Sequence, residues 1–121
     1  MTLDRLVRLT WRAPRLAPGR DHRAEARLLS RISLATRVFG TSDRDCLQRS
    51  LLIYRELSRA GADPSLVIGF RRTDGRVQGH AWVVSDGVAI GEGEAELLQF
   101  APAFSFGRRG ARLPAPDVRA A

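Results

Sequence analysis

The sequence has no lysine, a single cysteine and no long run of apolar residues. Each shortage narrows the reading. One cysteine cannot close an internal disulfide, so nothing requires an oxidising compartment. No stretch approaches the roughly 18–20 apolar residues of a membrane span. No apolar run follows a basic start, so no signal peptide is visible. A cytoplasmic protein with no membrane partner is therefore expected. With lysine absent, the formal charge of +7 rests on arginine alone. That bias, with abundant Ala, Gly and Pro, suits a GC-rich genome, and part of the basicity is then compositional. A basic surface still favours an acidic peptide or an acidic partner protein. Nucleic acid is not expected: there is no zinc-finger spacing, RNA-binding aromatic motif or basic zipper, and the arginines are scattered. One cysteine and two separated histidines match no structural zinc spacing, so no metal is expected, and nothing points to another cofactor.

What is present is one domain of 121 residues with room for a modest core. Leu3, Leu6, Val7 and Trp11 space one face of a helix over 3–12. Ala13-Pro14-Arg15-Leu16-Ala17-Pro18-Gly19 breaks it. A second helix is predicted from about Asp21 to Phe39, with Ala24, Leu28, Ile32 and Ala35 on its apolar face and Gly40 as its cap. A third opens after Thr41-Ser42-Asp43, carries Leu47, Leu51, Tyr54 and Leu57 inward, and ends at Gly61. Strands follow over 64–70, 76–84 and 88–92, joined by turns at Thr73-Asp74-Gly75 and Ser85-Asp86-Gly87. Leu97 to Phe106 adds a strand or an irregular cover. Residues 1–20 read as an N-terminal helix and linker, 21–107 as the main domain, and 108–121 as a flexible tail. Helices followed by an antiparallel meander make an α+β domain, with helices packed on the sheet.

The chemistry concentrates in two stretches. Cys46 stands at a helix start, where first-turn N–H groups lack intrahelical partners and a thiolate is favoured. His80 stands on a strand, in Gly79-His80-Ala81-Trp82. A thiol facing an imidazole is what a cysteine nucleophile needs. The imidazole takes the thiol proton and returns it to a leaving amine, while helix N–H groups stabilise the oxyanion. Taken singly, Cys46 also reads as a small buried hydrophobe and His80 as a structural histidine. Trp82 shares the face of His80, as core or site lining. Ser50, one turn after Cys46, either bonds back to its helix or supports the site. His22 reads as a surface residue.

A third group is needed to orient the imidazole. Asp86 lies at a turn six residues from His80, roughly 20 Å along an extended strand at ~3.3 Å per residue, and reads as a turn residue. If Ser85-Asp86-Gly87 forms a three-residue loop, Val84 pairs with Val88, Trp82 with Ile90, and His80 with Glu92. Opposed residues share a face, so Glu92 then reaches the ring. A two-residue Asp86-Gly87 loop would put Glu92 on the other face.

Cys46-Leu47-Gln48-Arg49-Ser50-Leu51, Leu57 with Gly61, Val67-Ile68-Gly69-Phe70 and His80-Ala81-Trp82-Val83, in that order, resemble the transglutaminase-like cysteine protease domain of lasso-peptide biosynthesis, over roughly residues 25–100. The resemblance implies a papain-like or transglutaminase-like fold and a leader peptidase acting on a ribosomally made precursor. Cys46 and His80 carry over directly. The family's acid falls at Glu92, where aspartate is usual. Some members fuse a leader-recognition domain to the protease. This chain is too short for that, so the discrete form is expected, with a precursor peptide, a separate leader-binding protein and an ATP-dependent cyclase as partners. The arginine-rich N-terminal helices are candidate docking surfaces for such partners. Other readings are a different transglutaminase-like thiol amidase or acyltransferase, and a non-catalytic peptide-binding module.

Overall fold

A computed structural model describes residues 2–14, 21–39, 46–91 and 93–114. Helix α1 spans Leu3–Thr10, α2 His22–Phe39 and α3 Cys46–Arg59. Strand β1 spans Ser65–Thr73, β2 Arg76–Ser85 and β3 Val88–Ala89. A short helix, α4 (Glu94–Leu97), leads to β4 (Ala101–Phe106), a 3-10 turn at Arg108–Gly110 and β5 (Arg112–Pro114).

The helix ends follow local chemistry. The Thr2 hydroxyl accepts from the Arg5 N–H at 3.3 Å and caps α1. Asp21 does the same for α2, accepting from the Ala24 N–H at 3.0 Å. At the end of α3, Gly61 adopts φ 89°. The Ala62 N–H then reaches the Leu57 carbonyl at 3.0 Å, and the Gly61 N–H reaches Ser58 at 3.1 Å. This reciprocal closure needs a left-handed residue, which glycine supplies without steric cost. The predicted caps at 40–45 lie outside the described residues.

The five strands are antiparallel in the order β3-β2-β1-β4-β5. The meander expected from the sequence holds for β1, β2 and β3. It then stops, because β4 crosses to the far side of β1 and pairs Phe106 with Leu66. The crossing segment covers a sheet face on its way: Leu97 packs with Val67 and Trp82, and Phe100 packs beside them. The second face carries the main core. There Val7 of α1 and Ile53, Tyr54 and Leu57 of α3 cover Leu66, Ile68, Ala81, Val83 and Phe106.

The chain end expected to be flexible from 108 onward instead folds as far as Pro114. Leu113 pairs with Ser105 on β4. The Tyr54 hydroxyl donates to the Gly107 carbonyl at 2.5 Å and accepts from the Gly110 N–H at 3.1 Å. A buried phenol with two backbone partners holds this segment against α3, an attachment that composition cannot reveal. The N-terminal helix likewise shares the core, since Val7 is fully buried.

Candidate active site

Cys46 is the first residue of α3 and only 7 % exposed. Its place at the helix start sets it beside first-turn N–H groups that have no acceptor within the helix, at the positive end of the helix dipole. The helix is located by Ser50, which is buried and donates its hydroxyl to the Ala81 carbonyl at 2.9 Å. The reason that carbonyl is available lies in the sheet. β3 pairs only with Val84 and Ser85, and the Ile90 N–H reaches the Val83 carbonyl at 2.8 Å. Carbonyls at 83 and 81 point to the same side of β2. β3 ends at Ala89, and the Ser50 hydroxyl reaches Ala81 further along that side of β2. Cys46 lies four residues before Ser50 on the same helical face, about 6 Å along the axis. α3 is therefore anchored, one turn after its thiol, to the residue that follows His80.

His80 sits on β2 opposite Gly69 of β1. Its half-buried ring stacks on Phe100, with centroids 4.8 Å apart and planes 25° from parallel. It also stacks with Trp82 at 5.8 Å and 24°. Trp82 is 1 % exposed and belongs to the core. A Cβ on Gly69 would lie 2.7 Å from Trp82 Cη2 and 3.0 Å from the Ala101 carbonyl, so the glycine makes room for the indole. Alternation along β2 sends Ala81 and Val83 into the α3 layer and sends His80 and Trp82 into the layer of Phe100 and Leu97. Cys46 and His80 thus belong to layers on either side of β2.

Comparison with known proteins decides the family. The Transglutaminase-like superfamily profile matches residues 2–105. This chain belongs to the transglutaminase-like superfamily. No curated protein and no solved structure matches it significantly. Transglutaminase-like proteins are usually cysteine-dependent enzymes, and membership points to a function of thiol protease or acyltransferase type. The match also begins at the first helix, so α1 is part of the transglutaminase-like unit.

The hairpin after His80 differs from the expected register. Ser85 pairs with Val88 and Val84 with Ala89, so the loop has two residues, Asp86 and Gly87, not three. Their φ values of 54° and 76° are those of the tight turn whose twist matches the flanking strands, and aspartate tolerates that conformation better than most side chains. The ladder that placed Glu92 opposite His80 is therefore absent. Gly91, at φ 72°, also ends the extended run. Glu92 itself lies outside the described residues. Asp86 occupies the exposed turn, as read from the sequence. His22 is exposed, with Nδ1 3.9 Å from a carboxylate oxygen of Glu25. Among the described residues, no group of three His, Cys, Asp or Glu side chains is placed to hold a metal ion.

Two features of the transglutaminase-like site escaped the sequence reading. Phe100 reaches the His80 layer through the segment that crosses to β4, and Arg71 reaches it from β1, opposite Gln78; no spacing rule links position 100 to position 80. Ser50 was legible as a hydroxyl one turn after the cysteine that either bonds back to its helix or supports the site. Its acceptor, 31 residues away, was not.

Proposed function

We propose that this chain is a cysteine endopeptidase that removes the leader from a ribosomally made lasso-peptide precursor. What supports a Cys46–His80 pair is the Ser50–Ala81 hydrogen bond, which anchors α3 one turn after Cys46 to the residue that follows His80; the lasso-peptide substrate rests on the resemblance. In the proposed reaction His80 takes the proton of the Cys46 thiol. The thiolate attacks the carbonyl carbon at the leader–core junction, and first-turn N–H groups of α3 receive the charge on the oxygen. The C–N bond breaks, and His80 returns its proton to the departing amine of the core peptide. Water, deprotonated by the same imidazole, then cleaves the thioester and frees the leader carboxylate. Glu92 is proposed as the carboxylate behind the ring, on the strength of the resemblance alone.

The partners proposed with this reading are the precursor peptide, a separate leader-binding protein and the lasso-peptide cyclase that uses the freed amine. The compartment proposed is the cytoplasm, where the precursor is synthesised. No helix of the described residues is long and apolar enough to cross a membrane. The test is incubation with a precursor encoded beside the gene and its leader-binding protein, followed by intact mass. Wild-type protein should yield separate leader and core. Cys46→Ala should lower the rate by roughly 10³-fold or more. Equal cleavage by that variant would remove the enzyme assignment.

The hairpin register supports a second reading, a non-catalytic peptide-binding module, because it withdraws the geometric ground for Glu92. In that case Cys46→Ala would leave peptide binding and biological activity intact. Release of a product with a transferred acyl group would instead favour a thiol acyltransferase.

A further inference from the structure

We propose that Phe100, braced by Arg71, is a positioning residue that sets the plane of the His80 imidazole. The inference rests on the reading of His80 as the proton carrier for Cys46. Imidazole nitrogens bond in the plane of the ring, so a neighbour stacked on the ring face restrains orientation without competing for those bonds. Phe100 makes such a contact, 4.8 Å between centroids at 25°. Trp82 adds a second, longer one and is itself locked in the core over Gly69.

Phe100 is held in turn. The Arg71 guanidinium lies over its ring, 4.8 Å from the centroid. Arg71 Nε donates to Gln78 Oε1 at 2.7 Å, and Nη1 donates to Gln99 Oε1. Gln99 precedes Phe100, and Gln78 lies two residues before His80 on the same face of β2. One guanidinium therefore ties β1, β2 and the segment entering β4 around a single aromatic ring. A ring serving only to fill space needs no such bracket.

The experiment uses the full chain and iodoacetamide as a probe of Cys46, the sole thiol, alongside proton NMR of the two histidine rings. His22 is exposed and gives the unstacked reference signal. Phe100→Leu should slow alkylation roughly tenfold or more, as expected when a reacting group is displaced by a fraction of an ångström to an ångström. It should also move the His80 ring protons toward the His22 positions. Phe100→Tyr keeps the aromatic face and should restore both readouts to near the parent values. Arg71→Gln, at a half-buried site, should shift both in the same direction by less, and it carries the test should Phe100→Leu fail to fold. An unchanged rate in Phe100→Leu, a fall in Phe100→Tyr as deep as in Phe100→Leu, or no change in Arg71→Gln where Phe100→Leu does not fold overturns the proposal. His80→Ala separates the two levels. If it alkylates like the parent, the thiol–imidazole pairing itself is wrong. If it is slow while Phe100→Leu is not, only the positioning role is lost.

Discussion

The Ser50 hydroxyl donates to the Ala81 carbonyl across the helix–sheet interface. Ser50→Ala would bury the Ala81 oxygen without that donor, and the expected cost is about 1–3 kcal/mol, measurable as a lower urea midpoint. Because the same bond seats the Cys46 turn, alkylation of the folded variant should slow as well. An unchanged rate at reduced stability would confine Ser50 to a purely structural role. Tyr54 offers a second residue-scale prediction. Burial is the main cause that pushes its phenol up to about 12, and the hydrogen bond from Gly110 only partly offsets it. A folded-state pKa above the unfolded value of about 10 means the contribution is complete below pH 10 and is lost as pH rises toward 12. With no lysine and one tyrosine, Tyr54 is the only side chain whose ordinary pKa is near 10 in this chain. Thermal melts should therefore fall in that window for the parent. Tyr54→Phe should begin less stable and show a flatter profile there. An equally steep fall in the variant would assign the alkaline transition elsewhere. At this scale the sequence was most legible where chemistry is rare: one cysteine and two histidines leave few candidates, and the site of each on a helix start or a strand follows from its neighbours.

The elements formed largely where local signals put them. Asp21 and Thr2 cap their helices, Gly61 closes α3, and Asp-Gly dipeptides turn both hairpins. Loop length was the harder quantity. Ser85-Asp86-Gly87 is compatible with a two- or three-residue loop on composition, and the choice moves every following side chain to the opposite face. The observed pairing of Ser85 with Val88 takes the shorter loop. On α2, Arg23, Arg27 and Arg31 are all exposed and lie four residues apart, which forms a basic stripe along one face. We take this stripe as a docking surface for the leader-binding protein or an acidic stretch of the precursor. Replacing the three with glutamine should weaken complex formation by several-fold, and the affinity of the parent complex should fall as salt rises. Equal affinities of parent and variant would reject this role for α2.

At the scale of the molecule, the helical layer and the crossing segment divide the sheet into two packed faces, with Cys46 in one layer and the His80 ring in the other. The α+β class follows from the order of periodicities, because helical spacing comes first and alternating strands follow. The transglutaminase-like assignment was legible from four short stretches in the right order. Two things were not. The return of β4 to β1, rather than to β3, depends on which face Leu97 and Phe100 bury, and a pattern of apolar residues does not say which neighbour will receive them. The folding of Arg108–Pro114 depends on backbone bonds to Tyr54, more than 50 residues away. The sequence by itself determined the helix starts, the turn positions and the class of fold, and it supplied the two candidate reactive side chains, since these rest on bonds and backbone preferences within a few residues. Only the tertiary structure decided the hairpin register, the strand order, the Ser50 anchor and the aromatic stack on His80, since each is a contact between distant segments chosen by competition among all surfaces that can be buried at once.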